Sequence, residues 1–101
     1  MNPLVEFVRS EYDRCVGVVE KKNADYAGQR GGADPLANFR LAETLGVCST
    51  DRAVLIRLID KIARLATLIE REPAVVEESF ADTVRDAINY LAILLYARQQ
   101  N

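Results

Sequence analysis

The sequence predicts an all-α fold of four helices, long, short, long and long, with the last two as an antiparallel hairpin. Three observations lead there. Apolar residues recur at three- and four-residue spacing in four segments. Those segments are bracketed by capping residues, prolines and glycines that read as starts and stops. Half of the 101 residues are hydrophobic, ample for a core and too many for a disordered chain. A chain of this length, 1–101, is read as a single small domain. An amphipathic helical domain of this size gains burial by pairing with itself, so a homodimer or higher homo-oligomer is expected.

The first helix is expected from Pro3 to about Lys22. Leu4, Val8, Tyr12, Cys15 and Val19 mark its apolar stripe, Asn2 can cap it, and Pro3 suits the first helical position. Lys21 to Asp34 is the irregular stretch. Gly28, Gly31 and Gly32 fall within five residues there, beside Lys21, Lys22, Arg30, Asn23, Asp25 and Tyr26. A polar, glycine-rich loop on a helical scaffold is a common place for binding groups, and also for a plain solvated connection. The glycines match no P-loop or dinucleotide fingerprint.

Asp34-Pro35 reads as a helix start, and the short helix PLANFRLAETL runs to Leu45, with Gly46 placed to end it in a left-handed conformation. Leu36, Phe39 and Leu45 are expected to face the core. Ser49, Thr50 and Asp51 offer caps for a long helix from about Arg52 to Arg71. Its apolar face is broad: Leu55, Leu58, Ile59, Ile62, Leu65, Ala66 and Ile69. Arg57, Lys61 and Arg64 form a cationic stripe with Asp60 beside it. Pro73 and its neighbours turn the chain into the last helix.

The stretch Glu77 to Leu95 opens on Ser79, with Asp82 at the reach of a capping box. Phe80, Val84, Ala87, Ile88, Leu91 and Leu95 make its apolar stripe. Glu78, Asp82 and Asp86 follow one another at four-residue steps, with Asn89 and Tyr90 one turn further. Like charges so spaced repel by a few tenths of a kcal/mol per pair. A compensating partner is expected, and the Arg57, Lys61 and Arg64 stripe across the hairpin can supply it.

Composition narrows the chemistry. A net charge of -2 argues against a general nucleic-acid binder and leaves room for one small anion in a local basic pocket. Histidine is absent, which removes Ser–His and Cys–His nucleophiles and most zinc sites. Two cysteines, Cys15 and Cys48, are too few for a disulfide framework; packing in a reduced cytosolic setting is the expectation. The charged start is not a signal peptide, and no uncharged apolar run has the length of a membrane span.

Three readings of the charged hairpin stay open on spacing alone. The opposed charges can be a salt-bridge seam that fixes register. The carboxylates can hold Mg²⁺ while the cations hold phosphates, as phosphoanhydride chemistry requires. The same groups can bind a nucleotide without cleaving it.

The chain resembles the nucleotide-modification-associated domain 1 family, small helical proteins of bacteriophages and some bacteria. The matching segments are Lys22-Asn23-Ala24-Asp25-Tyr26-Ala27-Gly28, Asp34-Pro35-Leu36-Ala37-Asn38-Phe39-Arg40, Arg57 to Leu65 (RLIDKIARL), and Glu78 to Tyr90 (ESFADTVRDAINY). Members often carry a histidine just before the first segment; here that neighbourhood is Val18-Val19-Glu20-Lys21. A second likeness is to the MazG-like all-α nucleoside triphosphate pyrophosphohydrolases. Where those enzymes place several glutamates on the first metal helix, this chain has Asp60 among Arg57, Lys61 and Arg64.

Together the resemblances imply a MazG-like bundle that binds a small nucleotide and would act on it as a Mg²⁺-dependent pyrophosphohydrolase. Asp60, Glu78, Asp82 and Asp86 would hold the metal, with Asp60 and Asp86 as the catalytic pair. The nucleotide would meet Lys22, Asn23, Asp25, Tyr26, Asn38, Phe39, Arg57, Lys61, Arg64, Asn89 and Tyr90. Among these Lys22, Lys61 and Arg64 would take phosphate, Tyr26 or Phe39 would stack, and an asparagine would read the base edge. The alternatives are a binder that sequesters a nucleotide-derived immune signal intact, and a structural protein–protein module.

Overall fold

The computed structural model describes residues 2–27, 36–71 and 79–100, with backbone alone at 23–27. The described residues are all-helical, in the order α1 (Pro3–Ala27), α2 (Ala37–Thr44), α3 (Thr50–Glu70) and α4 (Phe80–Gln99). The expected order of long, short, long and long holds. No described helix is long and apolar enough to cross a membrane. The chain divides into two compact units, Met1–Pro35 and Leu36–Asn101.

The first unit is α1. Asn2 caps it, its Oδ1 accepting from the Leu4 amide at 2.9 Å. The helix runs to Ala27, past the expected end near Lys22. Backbone propensity explains the difference: Lys21 to Ala27 holds two alanines and no glycine or proline, so nothing stops the helix before Gly28. Of the expected apolar stripe only Cys15 is buried; Leu4, Val8 and Tyr12 are exposed. Cys15 and Cys48 are both free thiols.

In the second unit α3 and α4 pack as the expected antiparallel hairpin, and α2 lies against α3. The Asp34-Pro35 start expected for α2 lies outside the described residues. Its end follows from Gly46, which takes φ +76° as predicted. The Val47 amide donates to the Ala42 carbonyl at 2.9 Å and the Gly46 amide to Glu43 at 3.0 Å. That pair of bonds is a Schellman motif, and a left-handed residue is what it needs. Leu36 is fully buried, but Leu45, expected in the core, is 69% exposed. It is the last residue before the reversal, where the chain already turns outward.

Ser49 occupies the N-cap of α3, yet its hydroxyl donates to Asp51 and caps no amide. The first amide of the helix is held from another element: Thr50 N–H donates to Glu43 Oε1 of α2 at 3.0 Å. Asp51 Oδ1 also accepts from the Arg52 amide at 2.8 Å. At α4 the predicted capping residue performs. Ser79 Oγ accepts from the Asp82 amide at 3.1 Å and donates to the Asp82 carboxylate at 2.9 Å. The reciprocal bond thus goes to the hydroxyl where a capping box would use the Ser79 amide.

The core of this unit is narrow. Val54 is completely buried, Leu58 nearly so, and Thr50, Thr83, Ala87 and Ala97 join them. Small residues on α4 let the two helices approach closely. The broad α3 face expected to be core is therefore split. Leu58 points inward, while Leu55, Ile59, Ile62 and Ile69 are exposed, as are Phe80, Leu91 and Leu95 of α4. α4 and the eight-residue α2 together cover only part of the α3 cylinder, and the apolar residues of α3 extend beyond that part.

Candidate functional site

Among the described residues, Lys61 and Arg64 of the α3 cationic stripe both reach the facing side of α4. Lys61 Nζ lies 3.2 Å from Asp86 Oδ2, each side chain about a quarter exposed at 23%. Three residues further along α3, Arg64 Nε donates to Thr83 Oγ1 at 3.3 Å. The steps run in opposite directions along the two helices, as an antiparallel register requires. One turn back, the same register sets Arg57 level with Tyr90. Arg57 and Asp60 are both exposed.

Thr83 is the residue that sequence reading missed. Its hydroxyl donates to the Ser79 carbonyl at 2.9 Å, leaving a lone pair for Arg64. A threonine between two aspartates reads as a neutral filler. Its position four residues from both Ser79 and Ala87, on the inner face, was the available signal.

The predicted carboxylates do not converge. Asp82 is occupied at the helix start by Ser79 and lies 3.5 Å from Arg85 on its own helix. Asp86 is held by Lys61, and Asp60 stands on the exposed flank of α3. Among the described residues no three of Asp, Glu, His or Cys form a group able to hold a metal ion. Glu78, the fourth expected ligand, lies outside the described residues.

The structure does bring together an aromatic and polar cluster beside the Lys61–Asp86 pair. The rings of Phe39 on α2 and Tyr90 on α4 meet edge to face, 6.2 Å apart and 86° between planes. That geometry matches the favourable arrangement of ring quadrupoles. Tyr90 and the half-buried Asn89 follow Asp86 by one turn of α4. Asn38 beside Phe39 is exposed. Lys22 is exposed near the end of α1, in the other unit. The side chains of Asn23, Asp25 and Tyr26 lie outside the described residues.

A further cross-hairpin contact closes the far end, where Arg98 of α4 lies 3.4 Å from Asp51 of α3. The Asp51 carboxyl is held below the ordinary aspartate value of 3.8. The Ser49 hydroxyl is the main cause, helped by the Arg52 amide and the nearby arginine charges, while partial desolvation opposes them.

Comparison with family models, curated proteins and solved structures found no match to this chain.

Proposed function

We propose that the Leu36–Asn101 unit binds a nucleotide beside the Lys61–Asp86 pair. The observation that carries this is the local composition of that flank. An ammonium held by a carboxylate at 3.2 Å stands one turn from a carboxamide and an aromatic pair. Each part suits a portion of a nucleotide. Lys61 and the exposed Arg57 can neutralise phosphate, an aromatic face can stack on a base, and an asparagine amide can read its edge. Asp86 positions the Lys61 ammonium and does not need a metal to do so. The described carboxylates do not fit a Mg²⁺ site, so no hydrolytic step is routed through one.

The competing reading is a purely structural seam. It is favoured by the same pair, because a cation already matched by a carboxylate needs no ligand. A melting-temperature screen separates the two. The full chain is heated with ribo-, deoxyribo- and cyclic nucleotides, with and without Mg²⁺. A nucleotide at about a hundred times its Kd adds about 2.7 kcal/mol. For a domain this small that is a shift on the order of 10 °C. The shift should be lost in Lys61→Ala, and the ligand should be recovered intact after denaturation. No shift with any nucleotide leaves only the seam, and recovery of cleaved products would replace binding with hydrolysis.

A further inference from the structure

The α3–α4 hairpin carries two apolar seams and fills only one. On α3 the residues Val54, Leu58, Lys61, Leu65 and Leu68 alternate by four and three, the spacing that keeps a helical seam against a partner. All five are buried or half-buried. A second series, Leu55, Ile59, Ile62, Ala66 and Ile69, repeats the same spacing beside the first. Its four large members are 43–71% exposed. On α4, Phe80, Leu91 and Leu95 are 43–62% exposed. The two exposed sets share one side of the hairpin, because Leu55 lines an open groove of about 500 Å³ together with Leu91 and Leu95.

We infer that this face is the contact between two copies of the chain, which close it as a four-helix bundle of two hairpins. Size agrees: seven large apolar side chains, each roughly half exposed, present roughly 700 Å² against the ~800 Å² per partner of a standard interface. Charge selects the second copy and its direction. Arg52 and Glu70 are eighteen residues apart, five full turns, so they stand on one meridian of α3 at opposite ends of the open seam. Both are exposed. A two-fold axis near Ile62, the midpoint between Leu55 and Ile69, runs the two α3 helices antiparallel. It brings Leu55 over the second copy's Ile69 and Arg52 within a turn of its Glu70, and does so twice. A parallel pairing would set arginine against arginine and glutamate against glutamate.

Sedimentation of the full chain at micromolar concentration should give a dimer. Ile59→Glu and Leu95→Lys place charges on positions already in water, so each should keep its helicity and weaken the dimer about tenfold or more. Arg52→Glu and Glu70→Arg should each weaken it, and the doubly swapped chain should recover it. Ile62→Cys should cross-link across the axis under mild oxidation, while the parent chain with Cys15 and Cys48 should not. A monomeric parent chain overturns the inference, and so does a dimer indifferent to Ile59→Glu and Leu95→Lys. A dimer that fails both the charge swap and the Ile62→Cys cross-link overturns the antiparallel arrangement.

Discussion

The two flanks of α3 are nearly equal in composition and opposite in fate. One flank places Val54 and Leu58 against α4, and they are among the most buried residues described. The other places Leu55, Ile59 and Ile62 in water, at 43–57% exposure. The difference lies in the partner and not in α3 itself. On its inner side α4 offers Thr83, Ala87 and Ala97, small enough for close helix approach, with Asp86 to meet the one charge in the seam. Hydrophobicity says that a helix face wants covering; the shape of the opposite face decides which one is covered within the chain.

Paired truncations would break this comparison most directly. Leu58→Ala should cost about 2–4 kcal/mol in urea unfolding, the transfer term plus the cavity left in a rigid seam. Ile59→Ala, one residue away, should change the stability of the dilute chain by no more than about 0.5 kcal/mol. If the open flank joins two copies, the Ile59→Ala cost should grow with protein concentration, since association stabilises by mass action. Equal costs for the two variants at low concentration would erase the distinction between the flanks.

A smaller effect sharpens the role of the charge within the filled seam. A double-mutant cycle on Lys61→Ala and Asp86→Ala should return a coupling of about 0.5–1 kcal/mol, the range of a partly solvated pair. A coupling near zero would make the pair a passenger of the packing around it.

The smallest effect concerns the hairpin's far end. Because the Asp51 carboxyl sits below 3.8 in the folded chain, its contribution is present above that value and lost as pH falls through the folded one. The stability difference between the parent chain and Asp51→Asn should therefore be constant near neutrality and shrink on acidification below about pH 4. A difference that widened on acidification would contradict the hydrogen bond from Ser49.

Much of the fold was legible because its signals are local. Ser79 announced the start of α4 and Gly46 the end of α2, each acting within a few residues of itself. Polar composition misled at Lys21 to Ala27, where charged and amide side chains look like a loop although their backbone has no reason to leave a helix. At the site, Lys61 with Asp86 could be foreseen from four-residue spacing on two antiparallel helices. Arg64 with Thr83 could not, since a hydroxyl carries no charge to announce it. The metal reading rested on carboxylates sharing a face, although the capping-box spacing of Ser79 and Asp82 already gave Asp82 a competing partner, and the two are joined in the structure.

The bond from the Thr50 amide to Glu43 links the last turn of α2 to the first turn of α3 across seven residues. Starting a helix is the costly step, because several residues must be fixed before the first internal bond repays them, with a nucleation constant of roughly 10⁻³. Here an amide that would begin unsatisfied finds a carboxylate delivered by the helix just completed, and the Gly46 reversal aims it. The contact closes a very short loop, so it can form before any pairing between α3 and α4. The corner thus acts as a template: once α2 is wound, the direction and first residue of α3 are set.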